Sequence, residues 1–239
     1  MIPKSHYTPA SKMADLLSDH FNIFLLFFNL GMHLGIAEKT VEEVCKEQHI
    51  DLDSFLSLVR FILEEDGRTS PASIASLDLS LIIRFLRNSH TYFLDYRLPQ
   101  IGAKMDETLK GASREVKVVI RRFFDEYSEE VHRHMDYEND IVFPYVSGLL
   151  EGNPGKNYSI SIFEKKHDQV EMKMLELKKI LIKYYTGDFN PDLSNLLHEL
   201  YACGQELRTH NDIEDRLFIP AIQHLEKELL SGTPQDTRL

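Results

Sequence analysis

One segment of this sequence occurs twice. His134 and Glu138 recur as His210 and Glu214 at one constant interval, and a proline follows each glutamate by six residues. Residues four apart lie on one face of a helix, so each copy can present an imidazole and a carboxylate to one point. Self-similarity of this kind predicts two helix pairs related by an approximate two-fold axis.

The spacing of apolar residues predicts helices along the whole chain. The 11 glycines and 9 prolines cluster at breaks, at residues 66–71, 152–155 and 186–191. No alternating apolar run is bounded by hairpin turns, so strands are not expected. The sequence therefore predicts an all-α fold, an up-down-up-down four-helix bundle. Its long helices are predicted over residues 77–101, 113–148, 159–185 and 191–230.

A small three-helix region is predicted before the bundle. Its helices are expected over residues 11–31, 40–49 and 51–65. Thr40 and Glu43 have the spacing of a capping box, and Asp51 and Asp53 are the candidates to cap the third helix. Turn-forming residues at 66–71 place the domain boundary, giving an N-terminal domain at 1–70 and the bundle at 71–239.

Composition excludes several classes of function. The 27 basic and 38 acidic residues give a net charge of −11, and no basic patch points to nucleic acid. The most apolar stretch, residues 21–36, is too short and too polar to cross a membrane, and it lacks the features of a signal peptide. The two cysteines, Cys45 and Cys203, cannot build a disulfide framework. We therefore expect a cytoplasmic protein with neither nucleic acid nor membrane as a partner.

Histidines at the predicted bundle positions point to a metal centre. His90 and His167 are separated by nearly the same interval as the repeated segment, so the first helix of each pair also supplies a histidine. Imidazole together with carboxylate suits iron, manganese or zinc. The two-fold relation suggests two ions, each bound by the two histidines of one helix pair and bridged by both glutamates. The predicted ligands are His90, His134, Glu138, His167, His210 and Glu214.

Other polar residues on the same helices are expected to have different roles. Glu130 and Glu206 lie one turn before the histidines of the repeat, and they are expected to be supporting partners of the metal ligands or proton relays, or else exposed acids. His224 and Glu228 also form a pair four residues apart. The counterpart of His224 in the first copy of the repeat is Gly148, so this pair is outside the repeat and no metal is expected there.

The ligand spacing, together with Phe143 and Pro144, resembles the hemerythrin-like HHE cation-binding domain. The layout, including a small N-terminal helical region, is also similar to the di-iron proteins that repair damaged iron–sulfur clusters. The resemblance extends over about residues 12–228. It implies that the predicted ligands hold two iron ions in an oxo- or hydroxo-bridged di-iron centre. The fifth histidine of oxygen-carrying hemerythrins cannot be placed here.

One feature of the repair family is missing. Its N-terminal domain typically carries an adjacent cysteine pair, whereas residues 32–40 contain no cysteine and Cys45 stands alone. This leaves packing or dimerisation as the role of the region, and a homodimer through it is among the expected partners.

The resemblance implies a non-haem di-iron protein of the nitrosative or oxidative stress response. It would supply iron for the repair of iron–sulfur clusters, with client proteins or diatomic ligands as partners. Two alternatives stay open: a sensor that binds oxygen or nitric oxide, and a nitric-oxide reductase or peroxidase with Glu130 or Glu206 as proton source. Whether the protein is an enzyme is undecided, and no catalytic residue is assigned.

Overall fold

A computed structural model describes residues 7–63, 70–153, 158–164, 170–185 and 187–231. Over these ranges the fold is all-α, as predicted, and the only extended pairing is an isolated bridge between Lys12 and Thr40. None of the helices in these ranges is long and apolar enough to cross a membrane. The predicted domain boundary near residue 70 stays a prediction, because residues 64–69 lie outside the described part.

The N-terminal helices largely follow the sequence pattern. Thr40 and Glu43 form the predicted capping box, and Asp51 rather than Asp53 accepts the capping hydrogen bond, from Ser54 N–H at 2.8 Å. The first predicted helix is wrong in one respect, since it consists of two helices. The helices are α1 (Met13–Asp19), α2 (Ile23–Asn29), α3 (Val41–Glu47), α4 (Leu52–Leu63) and α5 (Pro71–Ala75).

The break between α1 and α2 has a local cause. Residues 18–22 contain serine, aspartate, histidine and asparagine, which favour turns and caps over helix interiors. His20 is extended, with φ −135° and ψ 93°. Tyr7 donates a hydrogen bond to the Asp19 carboxylate at 3.0 Å, and its ring packs edge-on against His20. These contacts end α1 where apolar periodicity alone predicts continuation.

Over the described residues the predicted long helices are present, the third of them as two pieces on either side of residues 165–169, and three of them contain a π-helical segment. Their bounds agree with the predictions to within a few residues, except that the first continues to Thr108. In chain order the segments are α6 (Leu79–Thr91), π1 (Tyr92–Arg97), α7 (Leu98–Thr108), α8 (Arg114–Tyr137), π2 (Glu138–Val142), α9 (Phe143–Leu150), α10 (Ile160–Glu164), α11 (Val170–Tyr184), α12 (Pro191–Ile213), π3 (Glu214–Phe218) and α13 (Ile219–Ser231).

A proline lies two residues after the end of each π-helical segment. Pro99, Pro144 and Pro220 are each the second residue of the α-helix that follows. A proline has no N–H to donate, and its ring clashes with the carbonyl four residues earlier. The wider π turn relieves that clash without ending the helix, and such bulges are frequent at functional sites. The repeat is therefore visible in the backbone, because π2 and π3 begin at its two equivalent glutamates.

Contacts divide the chain into two compact units. The second unit comprises residues 90–144 and 161–211. In it, α8 packs against both α7 and α11. Its core is formed by apolar side chains from five helical segments: π1, α7, α8, α11 and α12. These side chains include Phe93, Ile101, Met105, Ile120, Phe124, Tyr127, Leu177, Leu181, Leu196, Leu200 and Cys203.

The first unit comprises residues 1–89, 145–160 and 212–239. Here α5 packs against α13, and α4 packs against α2 and α3. Ser54 Oγ accepts a hydrogen bond from the Asp78 N–H at 2.8 Å, and the guanidinium of Arg216 lies 5.2 Å from the centre of the Phe61 ring. The N-terminal helices thus share contacts with residues beyond position 70.

Candidate metal centre

Glu138 lies between two of the predicted ligand histidines. It is the first residue of π2, and its side chain is completely buried. Its Oε2 lies 2.9 Å from Nε2 of His90, and its Oε1 lies 2.7 Å from Nε2 of His134. Each oxygen of one buried carboxylate therefore faces the ring nitrogen of a different histidine.

These close approaches are not aligned as hydrogen bonds. Within the described part of the chain, neither oxygen of Glu138 makes a hydrogen bond, and neither does Nε2 of His90. Buried polar atoms are almost always paired, since an unpaired carboxylate is costly to remove from water. His90, His134 and Glu138 are therefore candidate ligands of a shared cation. The donor set of imidazole and carboxylate fits a transition metal.

The orientation of His90 is set by two neighbours. Its Nδ1 lies 3.1 Å from Oδ1 of Asn139, and its ring stacks on Phe143 with the centroids 5.4 Å apart. The amide oxygen can only accept, so this contact is a hydrogen bond in the tautomer with the proton on Nδ1, and in that tautomer Nε2 has its lone pair available. Nε2 is also the nitrogen that faces Glu138, and a histidine that binds a metal through Nε2 needs this lone pair.

The second copy of the repeat adds two buried side chains to this group. His210 is 1% exposed, and its ring centroid lies 5.2 Å from that of His90. Glu214 follows His210 by one turn of the same continuous helix, where π3 begins, and it is also buried. His90, Glu138, His210 and Glu214 offer ligand atoms that all lie within 4.8 Å of one another.

Five of the six predicted ligands are placed by the structure. Four form the group just described, and His134 adjoins it through Glu138. His167 lies outside the described residues. The assignment of each ligand to one ion, and the bridging role of the two glutamates, stay predictions.

The two acids predicted to support the ligands are partly buried and ion-paired. Glu206 accepts a hydrogen bond from Arg97 Nε at 2.9 Å, and Glu130 lies 2.6 Å from Lys173 Nζ. Their side chains are 25% and 20% exposed, so neither is a fully solvated acid on a helix surface. Their role toward a metal stays a prediction.

Three residues near the centre were not expected from the sequence. Asn139 follows Glu138 directly, and nothing in its spacing indicates that it reaches back to His90. Arg97 and Lys173 did leave a signal, because they are 76 residues apart, which is the interval between His134 and His210. Their charge alone resembled that of any solvated helix.

Neither cysteine is a candidate for thiol chemistry. Cys45 and Cys203 are both completely buried and reduced. Burial raises the pKa of each thiol to about 12, so both are protonated near neutral pH. Protonated, inaccessible thiols are poor nucleophiles and poor ligands.

A buried group of histidines and glutamates inside a helical fold defines a helical metal-binding protein. The family model described as the hemerythrin HHE cation binding domain matches residues 81–222, and the chain belongs to this family. The matched range contains all six predicted ligands. A comparison with curated proteins finds no match.

The pair His224 and Glu228 provides an internal negative control. Its side chains are 46% and 41% exposed, and Nε2 lies 3.2 Å from Oε1 in an ordinary surface contact. We expect His224→Ala to leave the metal content unchanged, because an exposed ion pair gains little over contact with water. Metal analysis of the purified variant checks this, and a loss of bound metal would contradict it.

Proposed function

We propose that this chain is a non-haem di-iron protein of the nitrosative or oxidative stress response, acting in the cytoplasm. In this proposal it holds two iron ions and supplies iron for the repair of iron–sulfur clusters. The observation that supports it best is the buried carboxylate of Glu138, which faces His90 and His134 without a hydrogen bond in the described part of the chain. Membership of the HHE cation-binding family supports it independently.

The chain's own side chains would do three things at the centre. The ions would be held by the six predicted ligands. Five are described by the structure, and the sixth, His167, is inferred from the sequence alone; the five are His90, His134, His210, Glu138 and Glu214. Asn139 would keep the His90 ring in the tautomer that binds metal. Burial of the group would exclude bulk water. When bound, iron would supply one-electron chemistry and affinity for diatomic ligands.

The charge of the predicted ligand set favours reversible binding of iron. Two carboxylates neutralise only half of the charge of two ferrous ions, and neutral imidazoles supply the remaining donors. Affinity at such a site falls as the histidines protonate, because ligand and proton compete for the same nitrogen. A store that releases iron on demand requires this kind of moderate affinity.

The test is metal analysis of anaerobically purified protein, followed by incubation with an apo iron–sulfur protein. We expect two irons per chain and their transfer to the acceptor. A stable adduct with oxygen or nitric oxide and no transfer would favour the sensor instead. Turnover with an electron donor would favour a reductase or peroxidase. Absence of bound iron in the wild-type protein would refute the proposal.

The N-terminal region is proposed to support a homodimer. Phe21, Phe24 and Phe28 on and beside α2 are 87%, 38% and 55% exposed, and such a cluster is unusual on a monomer. We expect the double variant Phe21→Ser, Phe28→Ser to sediment as a monomer and the wild-type chain as a dimer. Equal sedimentation coefficients for the two proteins would contradict this.

A further inference from the structure

Arg97 is a buried cation, and all three nitrogens of its guanidinium donate hydrogen bonds. It is only 9% exposed and closes π1. Its Nε and Nη2 donate to the two oxygens of Glu206, at 2.9 and 3.4 Å, and Nη1 donates to Glu199 at 2.5 Å. A two-pronged contact of this kind fixes both the distance and the orientation of the carboxylate.

Further polar groups complete this contact. Tyr92 OH donates to Glu206 at 3.1 Å, and Lys104 Nζ lies 3.3 Å from Glu199. Burial by itself would lower the pKa of Arg97, but the hydrogen bond to Glu199 and the charge of Glu206 raise it above its ordinary value. The hydrogen bond from Arg97 in turn lowers the pKa of Glu199. Arg97, Glu199 and Glu206 thus form a charged network inside the second unit.

This network connects two helices that carry candidate ligands. Arg97 lies on π1, which directly continues the helix of His90. Glu206 lies on α12, one turn before His210. The rings of His90 and His210 are 5.2 Å apart, so the ion pair holds together the helices whose spacing sets this distance.

The repeat supplies a counterpart on the other two helices. Lys173 lies 76 residues after Arg97, and Glu206 lies 76 residues after Glu130, which is the interval between His134 and His210. The structure pairs these two residues, with Lys173 Nζ 2.6 Å from Glu130 Oε2. Glu130 lies on α8, one turn before His134, so this pair joins α11 to a ligand-bearing helix in the same way.

The two ion pairs differ in strength. The Lys173 side chain is 35% exposed and presents a single ammonium, whereas the Arg97 side chain is 11% exposed and presents a fork. A more exposed cation contributes less, because water and salt screen its charge. The removal of one partner from a buried pair is much more costly, since it leaves an uncompensated charge.

We infer that Arg97 is a positioning residue for the candidate metal centre and that Lys173 is its weaker counterpart. Arg97 holds the helix of His90 against the helix of His210 through Glu206, and Lys173 holds α11 against the helix of His134 through Glu130. The inference rests on the proposed function, because it assumes that the centre binds metal.

The experiment uses the full-length protein, anaerobic, with Co²⁺ as the probe. Affinity is measured by competition with a chelator, and the visible absorption of bound Co²⁺ reports the coordination geometry. We expect Arg97→Met to weaken Co²⁺ binding about 10- to 100-fold and to shift the spectrum, as losses of supporting residues around metal ligands do. Arg97→Lys should recover part of the affinity, because it keeps the charge without the fork.

Two further variants test whether the loss of Co²⁺ affinity depends on the burial of the ion pair. Lys173→Met should weaken binding by less than about threefold, because the ammonium of Lys173 is more exposed than the guanidinium of Arg97 and makes a single contact. Arg122→Met removes a fully solvated partner of Glu126 on α8 and should change neither affinity nor spectrum. If Arg97→Met does not fold, as judged by circular dichroism, Glu206→Gln removes the negative charge that Arg97 pairs with, at little change in volume, and carries the same expectation.

The possible failures are distinguishable. If the wild-type protein binds no Co²⁺ or iron, the proposed function fails. If the wild-type protein binds Co²⁺ and folded Arg97→Met or Glu206→Gln binds it equally well with the same spectrum, the positioning role of Arg97 is refuted and the proposed function stands. Equal losses in Arg97→Met and Arg122→Met would also refute it.

Discussion

Replacement of Glu138 by Ala is expected to remove both metal ions from the protein. Its two oxygens lie 2.9 and 2.7 Å from the ring nitrogens of His90 and His134, which are the predicted histidine ligands of one ion. The predicted arrangement has Glu138 bridge from this ion to the second one. A bridging carboxylate contributes to both ions, whereas each histidine contributes to one. We expect a loss of affinity of more than about 100-fold, because even supporting residues cost about 10- to 100-fold.

Single histidine variants provide the comparison for this prediction. His90→Ala or His134→Ala should retain about one ion per chain, and Glu138→Gln should resemble Glu138→Ala because an amide does not replace the bridging charge. Metal analysis of these proteins at matched helicity is the measurement. Retention of two ions by Glu138→Ala would remove the bridging assignment.

Replacement of Glu138 by Ala should not lower the thermal stability of the metal-free protein. A carboxylate buried without hydrogen bonds lowers the stability of the empty site, because it has lost its hydration. The metal-free form of Glu138→Ala is therefore expected to unfold at a temperature no lower than that of metal-free wild type. A clearly lower midpoint would show that Glu138 has a structural role even without metal.

Deletion of residues 1–70 is expected to destabilise the remaining chain while leaving its ability to bind metal. All six predicted ligands lie beyond residue 70, but the deleted part contacts the rest of the first unit. Ser54 accepts a hydrogen bond from Asp78, Phe61 packs on Arg216, and the carbonyl of Asn29 accepts a hydrogen bond from Asn88.

The size of the loss follows from these contacts. Two hydrogen bonds and one cation–π contact contribute together about 3 kcal/mol. For a chain of this size that lowers the thermal midpoint by about 6 to 12 °C, and exposure of apolar surface adds to it. Calorimetry and metal analysis of the truncated chain test both halves of the prediction. Loss of both metals from a truncated chain that is still helical would show that residues 1–70 help to build the centre.

Most helices of this protein were predictable because their signals are local. The capping box of Thr40 and Glu43 and the start of α12 at Pro191 depend on residues within one turn, and both are present in the structure. The four-residue spacing of His134 and Glu138 likewise fixes a shared face of a helix. The break at His20 was missed because apolar periodicity continues across it, although the turn-forming residues at 18–22 and a hydrogen bond from Tyr7 to Asp19 end the helix there.

The internal repeat indicated which histidines and glutamates belong together, and the family match includes all of them. The repeat alone did not show that Glu138 faces two histidines, that Asn139 reaches back to orient His90, or that Arg97 pairs with the distant Glu206. Local spacing determines the face on which a side chain lies, because a helix has a fixed pitch. The group that it meets depends on how separate helices pack, and that packing results from the whole buried core.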